Sequence, residues 1–478
     1  MNLYINHSFH YELENLTRLF YPNEKITVIK DSDSSSEPYI KAFRNDNLYV
    51  EVKSGTFCES SYAPITDDTE DERMLCELLY KILCKLTGVI PPWGMITGVR
   101  PVKLYRSLLS TNSSDYADKY FKDKLFVSDE KLKLTKITEK IEKKFIDLSQ
   151  KDSFSLYIAI PFCPTRCHYC SFVQSSIERT GHLVEPYVEL LCRELQHTAK
   201  IASDLNLRLE TVYMGGGTPT TLTAQQINKV LSVVNSSFDM STCREFTVEA
   251  GRPDTITEDK LNSILENNVD RISINPQTLN NDVLNAIGRR HTAEQTIDAY
   301  NLARKIGFKN INMDLIAGLP TDTTDSFKST LDGIIKLNPE CVTIHTLSMK
   351  RSSSLTQNGT SINRDDALNT AEMLSYAKDR LLNSDYLPYY LYRQSRMVGN
   401  LENTGWSKKG FESLYNIYVM DETHTILACG AGAVTKLKQF GTTYLERIFN
   451  FKYTYEYINR YMEILDRKKN ICTFYDNC

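Results

Sequence analysis

Short apolar runs alternate with helical stretches between residues 155 and about 350, and this alternation restricts the fold more than any other feature of the sequence. Strands that alternate with helices form a parallel sheet with the helices outside it. The pattern leaves two α/β arrangements open, an open barrel and a doubly wound sheet, and in both the functional groups gather at the carboxyl ends of the strands. The six runs are Leu156–Ile160, Thr211–Met214, Glu245–Glu249, Arg271–Ile274, Asn310–Ile316 and Val342–Leu347, with helical periodicity near 183–201, 223–235, 257–266, 293–306 and 324–336.

The texture of the sequence differs on either side of this segment. Strand-like runs at Lys25–Lys30 and Leu48–Lys53, and helical periodicity over Met74–Leu86, indicate a separate α+β region before it. Another helix is predicted near 366–383, before Tyr-rich and Gly-rich segments. We therefore predict three regions, an N-terminal α+β accessory domain over 1–150, the strand–helix core over 151–360 and a C-terminal α+β extension over 361–478.

Composition excludes several classes of protein. The chain has 478 residues, a net charge of −4 and 41% hydrophobic residues, so it can bury a sizeable core and lacks the basic character typical of nucleic-acid-binding proteins. No run reaches the roughly 18 apolar residues of a membrane span, and the first residues lack the pattern of a signal peptide. We expect a soluble cytoplasmic protein without a nucleic-acid partner.

Three of the 12 cysteines lie within eight residues, directly after the first apolar run. Cys163, Cys167 and Cys170 have the spacing CxxxCxxC, and thiolates are the ligands that iron–sulfur clusters prefer. Three thiolates leave one iron of a 4Fe–4S cluster open to a small molecule, and Arg166 adds a cation beside it. The alternative is a zinc site with His168 as fourth ligand, which lies too close along the chain for easy tetrahedral closure.

Polar residues follow the later strands where each one ends. Gly215–Gly217 come after the second strand, where glycine lets the backbone approach a ligand closely. Glu249 ends the third strand, Gln277 follows the fourth and Asp314 lies in the fifth. Each alone is as readily explained by a buried salt bridge, but together they favour a polar cradle for a ligand.

These motifs resemble those of the radical SAM superfamily, and within it the coproporphyrinogen oxidase branch, most closely proteins of the HemZ type. The resemblance implies a partial (β/α)6 barrel that binds a 4Fe–4S cluster and S-adenosyl-L-methionine (SAM), with the C-terminal extension covering the substrate. The motifs that carry it are Trp93–Pro101, Ile160–Cys163, Gly215–Pro219, Thr247–Ala250, Asn275–Gln277, Asn312–Pro320 and Gly430–Ala433.

The resemblance also implies roles for individual residues. The cysteine triad binds the cluster, and Arg289 pairs with the carboxylate of SAM, with the adjacent Arg290 as the alternative. Tyr157 lies near the bound methionine and is a candidate catalytic residue, and Ile316 contacts the adenine side. The other residues expected to contact SAM are Tyr169, Gly215, Gly216, Gly217, Thr218, Glu249, Gln277 and Asp314.

Two positions depart from the HemN type of this branch. HemN-type enzymes and HemW-type haem chaperones usually carry histidine before Ile-Pro-Phe-Cys, where this chain has Ala159. HemN-type enzymes also have a cysteine two residues after the triad, where this chain has Phe172. HemZ-type sequences share both traits, so the departures favour that subgroup.

The activity implied is oxidative decarboxylation of two propionates of coproporphyrinogen III to vinyl groups, giving protoporphyrinogen IX for haem biosynthesis. A 5′-deoxyadenosyl radical from SAM would start it, with a flavodoxin- or ferredoxin-type electron donor as partner. Arg393 and Arg396, among tyrosines at 389, 390 and 392, are candidate ligands for the substrate carboxylates, and a Tyr-rich strand with solvated arginines is the alternative. A HemW-type haem chaperone and a radical SAM enzyme for another tetrapyrrole remain open as functions.

Overall fold

The computed structural model describes residues 1–31, 36–170, 175–350, 353–357 and 363–476. Its residues divide into two compact units where the sequence predicted three regions. The predicted C-terminal extension is shared between the units, because its strands join the core sheet while two of its segments cluster with N-terminal residues. The smaller unit comprises Met1–Glu139, Thr360–Ala371 and Tyr392–Glu402, and the larger comprises Lys140–Gly359, Glu372–Leu391 and Asn403–Cys478.

The smaller unit is built on a five-stranded mixed sheet in the order β2-β1-β3-β4-β5. Its strands are β1 (Asn2–Ile5), β2 (Thr27–Lys30), β3 (Tyr39–Arg44), β4 (Leu48–Ser54) and β5 (Phe57–Ala63). Its helices are α1 (His10–Phe20), α2 (Asp68–Thr87), α3 (Pro101–Thr111), α4 (Ser114–Lys119) and α5 (Asp129–Ile146), with a π-helix over Tyr120–Lys124.

Helix α2 begins and ends where its sequence provides caps. The Asp67 carboxylate accepts hydrogen bonds from the backbone N–H groups of Thr69 and Glu70, which satisfies two donors at the helix start. Gly88 ends the helix with φ of 66°, a left-handed conformation that favours glycine. The helix therefore begins six residues before the predicted Met74, with Asp68, Glu70 and Asp71 in its first turn.

The larger unit contains an eleven-stranded sheet in the order β14-β15-β13-β12-β11-β10-β9-β6-β16-β17-β18, and β7 pairs separately with β8. The strands are β6 (Ser153–Ile160), β7 (Phe162–Cys163), β8 (Ser175–Ser176), β9 (Arg208–Gly216), β10 (Glu245–Glu249), β11 (Arg271–Ser273), β12 (Ile311–Ala317), β13 (Cys341–Thr346), β14 (Leu387–Tyr392), β15 (Asn403–Ser407), β16 (Thr425–Cys429), β17 (Val434–Lys438) and β18 (Leu445–Phe449).

Helices follow most of these strands, and α5, α14 and β14 contribute residues to both units. Among the described residues, no helix is long and apolar enough to cross a membrane. The remaining helices are α6 (Ile177–Thr180), α7 (Val184–Asp204), α8 (Ala224–Ser237), α9 (Glu258–Glu266), α10 (Asn281–Ala286), α11 (Ala293–Ile306), α12 (Thr324–Leu337), α13 (Ser354–Gln357), α14 (Arg364–Leu382), α15 (Leu414–Asp421), α16 (Thr454–Asn459) and α17 (Tyr461–Asp476).

Strand order decides between the two arrangements that the sequence left open. Strands β6, β9, β10, β11, β12 and β13 are parallel, and each pairs with the preceding member of this series. In a doubly wound sheet a later strand would instead return to the other side of the first strand. The continuous progression is that of barrel-type winding, and it brings the six carboxyl ends to one edge of the sheet.

The C-terminal part of the chain extends this sheet beyond β6. Strand β16 pairs in parallel with β6, with Ala428 opposite Tyr157, and β17 and β18 continue antiparallel. The buried Glu194 on α7 holds this extension, because its carboxylate accepts from the Gly430 N–H at 2.8 Å, from Asn450 at 2.7 Å and from Tyr457, and pairs with Lys468 at 3.1 Å. The glycines after β16 therefore stand beside the end of β6.

Candidate functional site

The cysteine triad lies in the loop that leaves the carboxyl end of β6. Cys163 and Cys167 are buried and Cys170 is partly buried, and the Cys170 N–H donates to the Cys167 carbonyl at 3.1 Å to close a turn. The Thr218 hydroxyl lies 3.2 Å from the Cys163 sulfur. Burial raises the pKa of the Cys163 thiol to about 12, while its hydrogen bond with Thr218 and the Arg252 cation lower it. A cationic group bound at this thiol would favour the thiolate.

Gly217 and Thr218, directly after β9, hold the start of this loop by backbone contacts. The Gly217 N–H donates to the Ile160 carbonyl at 2.6 Å, and the Thr218 N–H donates to the Phe162 carbonyl at 2.7 Å. A Cβ on Gly217 would lie 2.6 Å from the Phe162 oxygen, and one on Gly215 would lie 2.8 Å from the Glu249 carboxyl. These two positions have room for glycine alone.

His168 is engaged by the backbone of another loop. Its N–H donates to the Ile287 carbonyl at 3.0 Å, and its ring Nδ1 lies 3.0 Å from the Ala286 carbonyl. The loop after α10 therefore anchors the cysteine loop through this residue. These contacts give no support to His168 as a fourth zinc ligand.

The buried cation beside the triad is Arg252, a residue that sequence reasoning missed. Its Nη1 lies 3.7 Å from the Cys167 sulfur and 3.2 Å from the Thr165 hydroxyl. Arg166, which the sequence suggested for this role, is exposed. The signal available for Arg252 was its place in the sequence, directly after a strand end and three residues past Glu249.

Glu249 is surrounded by aromatic rings. The Tyr213 hydroxyl donates to its carboxylate, and Tyr213 stacks on Tyr415 with centroids 4.4 Å apart. Tyr157 lies 6.3 Å from Tyr213 and 6.2 Å from Tyr415, nearly parallel to both. Burial raises the pKa of Glu249 to about 7, against the lowering effect of the Tyr213 hydrogen bond, and the charge of Asp314 raises it further.

Asp314, in contrast to Glu249, has a lowered pKa. Burial alone would raise its pKa, but hydrogen bonding with His345 and Asn312 outweighs burial and lowers it. The His345 Nε2 lies 3.6 Å from one carboxylate oxygen, and the Asn312 amide donates to the other at 2.7 Å. His345 pairs in register with Ile316 near the end of β13, so strand-end reasoning applied to this strand would have found it.

Gln277 and Ile316 are joined through the backbone. The Gln277 N–H donates to the Asp314 carbonyl at 2.9 Å, and the Ile316 N–H donates to the Gln277 carbonyl at 3.0 Å. Both side chains are buried, and Gln277 has φ of 68°. This left-handed conformation costs energy in a residue other than glycine, and such strain is concentrated at functional sites.

Arg289 is buried with one donor left over. Its Nη1 donates to the Asn275 carbonyl at 2.7 Å and its Nη2 to the Tyr169 hydroxyl at 3.0 Å, while its Nε has no hydrogen-bond partner among the described residues. A buried N–H without an acceptor costs about 1–3 kcal/mol, which a bound anion would recover. Arg290, in contrast, is exposed and pairs with Glu178 at 2.9 Å.

Arg393 is buried, and its role as a ligand of the substrate carboxylates stays a prediction. Arg393 is buried in the smaller unit, where its guanidinium donates to the Ile96 and Asn400 carbonyls and lies over the Trp93 ring. Its terminal nitrogens thus donate to backbone oxygens, while its Nε, like that of Arg289, has no hydrogen-bond partner among the described residues. Tyr389 and Tyr390 are buried as well, because β14 is covered on both faces.

Of the two positions that depart from the HemN pattern, only Ala159 lies within the described residues. Ala159 is buried in a cluster with Ala428 and Ala433, and its carbonyl accepts from the Tyr187 hydroxyl at 2.6 Å. Small side chains fill this position, so a histidine there would need space that the cluster does not leave. Phe172 lies outside the described residues.

The donors fit the groups that the sequence resemblance implies. Within the described ranges, no three His, Cys, Asp or Glu side chains are arranged to hold a single metal ion. A 4Fe–4S cluster takes each thiolate on a separate iron, so its ligands need not converge on one point. The buried thiols, the glycine positions and the unpartnered Arg289 Nε together suit a cluster and an anionic ligand.

A pH-dependent stability is expected from Glu249. Its pKa is about 7 in the folded chain and 4.5 ordinarily, so its contribution to stability is present below pH 4.5 and lost as the pH rises to 7. Over that window the free energy of unfolding should fall by at most about 3 kcal/mol more in the parent than in Glu249→Gln. Denaturant unfolding of the cofactor-free chains measures this, with exposed Glu258→Gln as the matched control. Parallel pH profiles of the free energy of unfolding in the parent and in Glu249→Gln would contradict the raised pKa of Glu249.

Comparisons with known proteins match this chain to radical SAM proteins. The model of the Radical SAM superfamily matches residues 157–334. The chain is 37% identical over 475 residues to the oxygen-independent coproporphyrinogen-III oxidase-like protein HemZ of Bacillus subtilis, which covers 96% of this chain and 94% of that protein. It is 32% identical to the haem chaperone HemW of Lactococcus lactis, over 58% of this chain and 68% of the relative.

A solved structure shows the same fold. Coproporphyrinogen III oxidase (HemN) from Escherichia coli, described as a radical SAM enzyme, matches with a TM-score of 0.53 at 23% identity, covering 67% of this chain and 71% of that one. Radical SAM proteins use a 4Fe–4S cluster and SAM, and these are the cofactors of this chain. The near-complete overlap with HemZ, together with the radical SAM segment and fold, shows that the chain belongs to the HemZ-type family of oxygen-independent coproporphyrinogen-III oxidase-like proteins.

Proposed function

We propose that this chain catalyses the oxidative decarboxylation of two propionate groups of coproporphyrinogen III, giving the vinyl groups of protoporphyrinogen IX. The observation that carries the proposal is the similarity to HemZ along 96% of the chain, which extends far beyond the radical SAM segment. The strand-end site supports it, because buried thiols, a glycine cradle and a buried arginine stand at one edge of the sheet.

We assign the cluster ligands to Cys163, Cys167 and Cys170, whose loop is closed at both ends by backbone hydrogen bonds. When bound, the reduced cluster and SAM together supply a carbon-centred radical that removes one hydrogen atom from the substrate. Thr218 holds the Cys163 sulfur at 3.2 Å and so fixes one corner of the site.

The strand ends orient SAM. Arg289, whose Nε has no hydrogen-bond partner among the described residues, would bind the SAM carboxylate, and the Tyr169 hydroxyl keeps the guanidinium in place. The backbone of Gly215–Gly217 would receive the amino end of SAM, as the family resemblance implies, and close packing against Phe162 and Glu249 keeps Gly215 and Gly217 in place. The remaining contacts of the SAM cradle come from Glu249, Gln277, Asp314 and Ile316.

Tyr157 closes the inner side of this site. Its ring lies parallel to Tyr213 and Tyr415, and burial raises the pKa of its hydroxyl, so the group stays protonated. The three rings line the region around Glu249 and would limit the access of water to a radical formed there.

The reaction balances for each propionate. The β-carbon of the propionate loses one hydrogen atom. The bond between the α-carbon and the carboxyl carbon breaks, and a double bond forms between the α- and β-carbons as carbon dioxide leaves. One electron passes from the substrate to an acceptor, and one electron enters from a low-potential donor of the flavodoxin or ferredoxin type for each SAM consumed. Two rounds convert two propionates.

The second candidate is a haem chaperone of the HemW type. The observation that favours it is the 32% identity to HemW of Lactococcus lactis over 58% of this chain, which spans the radical SAM segment. Binding of haem without turnover of coproporphyrinogen III would distinguish it from the oxidase.

Anaerobic turnover of the reconstituted full chain tests the proposal. With SAM, dithionite, an added electron acceptor and coproporphyrinogen III, we expect vinyl product and 5′-deoxyadenosine to form together. The tricarboxylate intermediate with one vinyl group should appear first, and omission of SAM should stop both products. Stable haem binding with an intact cluster and no vinyl product would overturn the oxidase in favour of the chaperone. Consumption of haem itself would instead indicate another tetrapyrrole substrate.

A further inference from the structure

Arg252 stands at the junction of the cysteine loop and the end of β10. It is only 3% exposed, and its carbonyl accepts from the Thr255 N–H at 2.9 Å and the Thr255 hydroxyl at 2.8 Å. The short 3-10 turn Pro253–Thr255 therefore fixes its backbone three residues past Glu249. A buried guanidinium on a rigid turn has a defined direction.

Asp254 takes one edge of this guanidinium. The Arg252 Nε and Nη2 donate to the two carboxylate oxygens at 2.9 Å each, the bidentate geometry that arginine forms with carboxylates. Nη1 is left to point away from the carboxylate, and its two acceptors, Thr165 and Cys167, both belong to the cysteine loop.

A salt bridge that only stabilises the turn explains part of this arrangement. A salt bridge inside the turn would be complete with the two nitrogens that Asp254 uses. The third nitrogen lies 3.7 Å from the Cys167 sulfur and 3.2 Å from the Thr165 hydroxyl, so it faces the cysteine loop and not Asp254. His291, 3.9 Å from Asp254, adds no positive charge, because burial lowers its pKa to about 3.

We propose that Arg252 is a positioning residue for the iron–sulfur cluster, which donates a hydrogen bond to the Cys167 sulfur and raises the reduction potential of the cluster. This inference rests on the assignment of Cys167 as a cluster ligand under the proposed function. Asp254 orients the guanidinium. The Arg252 Nη1 also donates to the Thr165 hydroxyl.

The sign of the effect follows from charge. Reduction adds one negative charge to the cluster, and a hydrogen bond or a cation at a ligand sulfur stabilises the more negative state. Loss of the Arg252 cation removes that stabilisation and also leaves the Asp254 carboxylate unpaired nearby. Both changes lower the reduction potential and make the cluster harder to reduce.

The test is a redox titration of the full chain, reconstituted anaerobically and followed by electron paramagnetic resonance of the reduced cluster. For Arg252→Gln we expect unchanged iron content and a midpoint potential lower by the equivalent of about a tenfold change in the reduction equilibrium, 59 mV for one electron. Arg252→Lys keeps the charge but loses the planar fork, so its potential should lie between those of Arg252→Gln and the parent. Arg193→Gln, an exposed arginine on α7, is the matched control and should leave the potential unchanged.

Full iron content with an unchanged potential in Arg252→Gln would overturn the inference. Should that variant fail to hold iron, Arg252→Lys decides, since a full cluster at the parent potential in the lysine variant equally overturns it. Failure of the parent chain to bind a cluster would instead refute the assignment of the cysteines. Absence of coproporphyrinogen turnover with a normal potential series would refute the substrate and leave the role of Arg252 standing.

Discussion

Replacing Cys167 with serine is expected to abolish both cluster binding and SAM cleavage. The thiol is buried in the loop after β6, and the Arg252 Nη1 lies 3.7 Å from its sulfur. Serine offers a hard, protonated oxygen in place of a soft thiolate, and two remaining ligands cannot hold a 4Fe–4S cluster with an open iron. Iron per chain, visible absorbance and 5′-deoxyadenosine release after reconstitution measure the loss, which should reach the background of the assay.

Cys472→Ser is the matched control for this substitution. Cys472 lies on α17 and is partly exposed, outside the cysteine loop. The control should keep the iron content and the SAM cleavage rate of the parent. A Cys167→Ser chain that retained full iron would show that the cluster, if present, is held by other residues.

Replacing Arg289 with glutamine is expected to weaken SAM binding about 30-fold or more. The guanidinium is buried, two of its nitrogens are fixed by the Asn275 carbonyl and the Tyr169 hydroxyl, and its Nε awaits an acceptor. Truncating one partner of a buried charged pair typically costs at least about 2 kcal/mol, which corresponds to this factor. Equilibrium binding of SAM to the reconstituted chain measures the effect, with iron content confirming that the cluster is intact.

The adjacent arginine provides a strict comparison. Arg290 differs from Arg289 by one position, but its side chain is 67% exposed and pairs with Glu178 on the surface. Arg290→Gln should change SAM affinity by less than about fivefold, since exposed ion pairs contribute at most about 1 kcal/mol. If the two variants exchanged these outcomes, Arg290 would be the SAM ligand.

Much of the core was predictable because its signals are local. The third strand was predicted as Glu245–Glu249 and is observed with those bounds, and the helix predicted over 293–306 is observed as Ala293–Ile306. Periodicity and capping residues such as Thr292 act over a few positions, so they can be read from the sequence directly. Boundaries elsewhere shifted by a few residues, as at β6, which begins at Ser153 rather than Leu156.

The partners within the site were less predictable because they depend on which loops meet. Arg166 and Arg252 are both arginines near motifs, but only the folded chain shows that Arg252 reaches the Cys167 sulfur from 85 residues away. Likewise, Tyr415 joins Tyr157 and Tyr213 from a helix that lies far along the chain. Arg393 is a predicted substrate ligand, and only the folded chain shows that it is buried with its terminal nitrogens donating to backbone carbonyls.

The sequence by itself determined the class of chemistry, because the triad spacing and the residues at strand ends specify thiolate and polar donors whatever their exact placement. It also determined that strands and helices alternate through the core. Tertiary structure alone decided the direction of winding, the placement of β16 beside β6 and the division of the C-terminal part between two units. These features arise from contacts between residues far apart in the chain, and no local pattern of hydrophobicity or capping encodes which distant segments will pair.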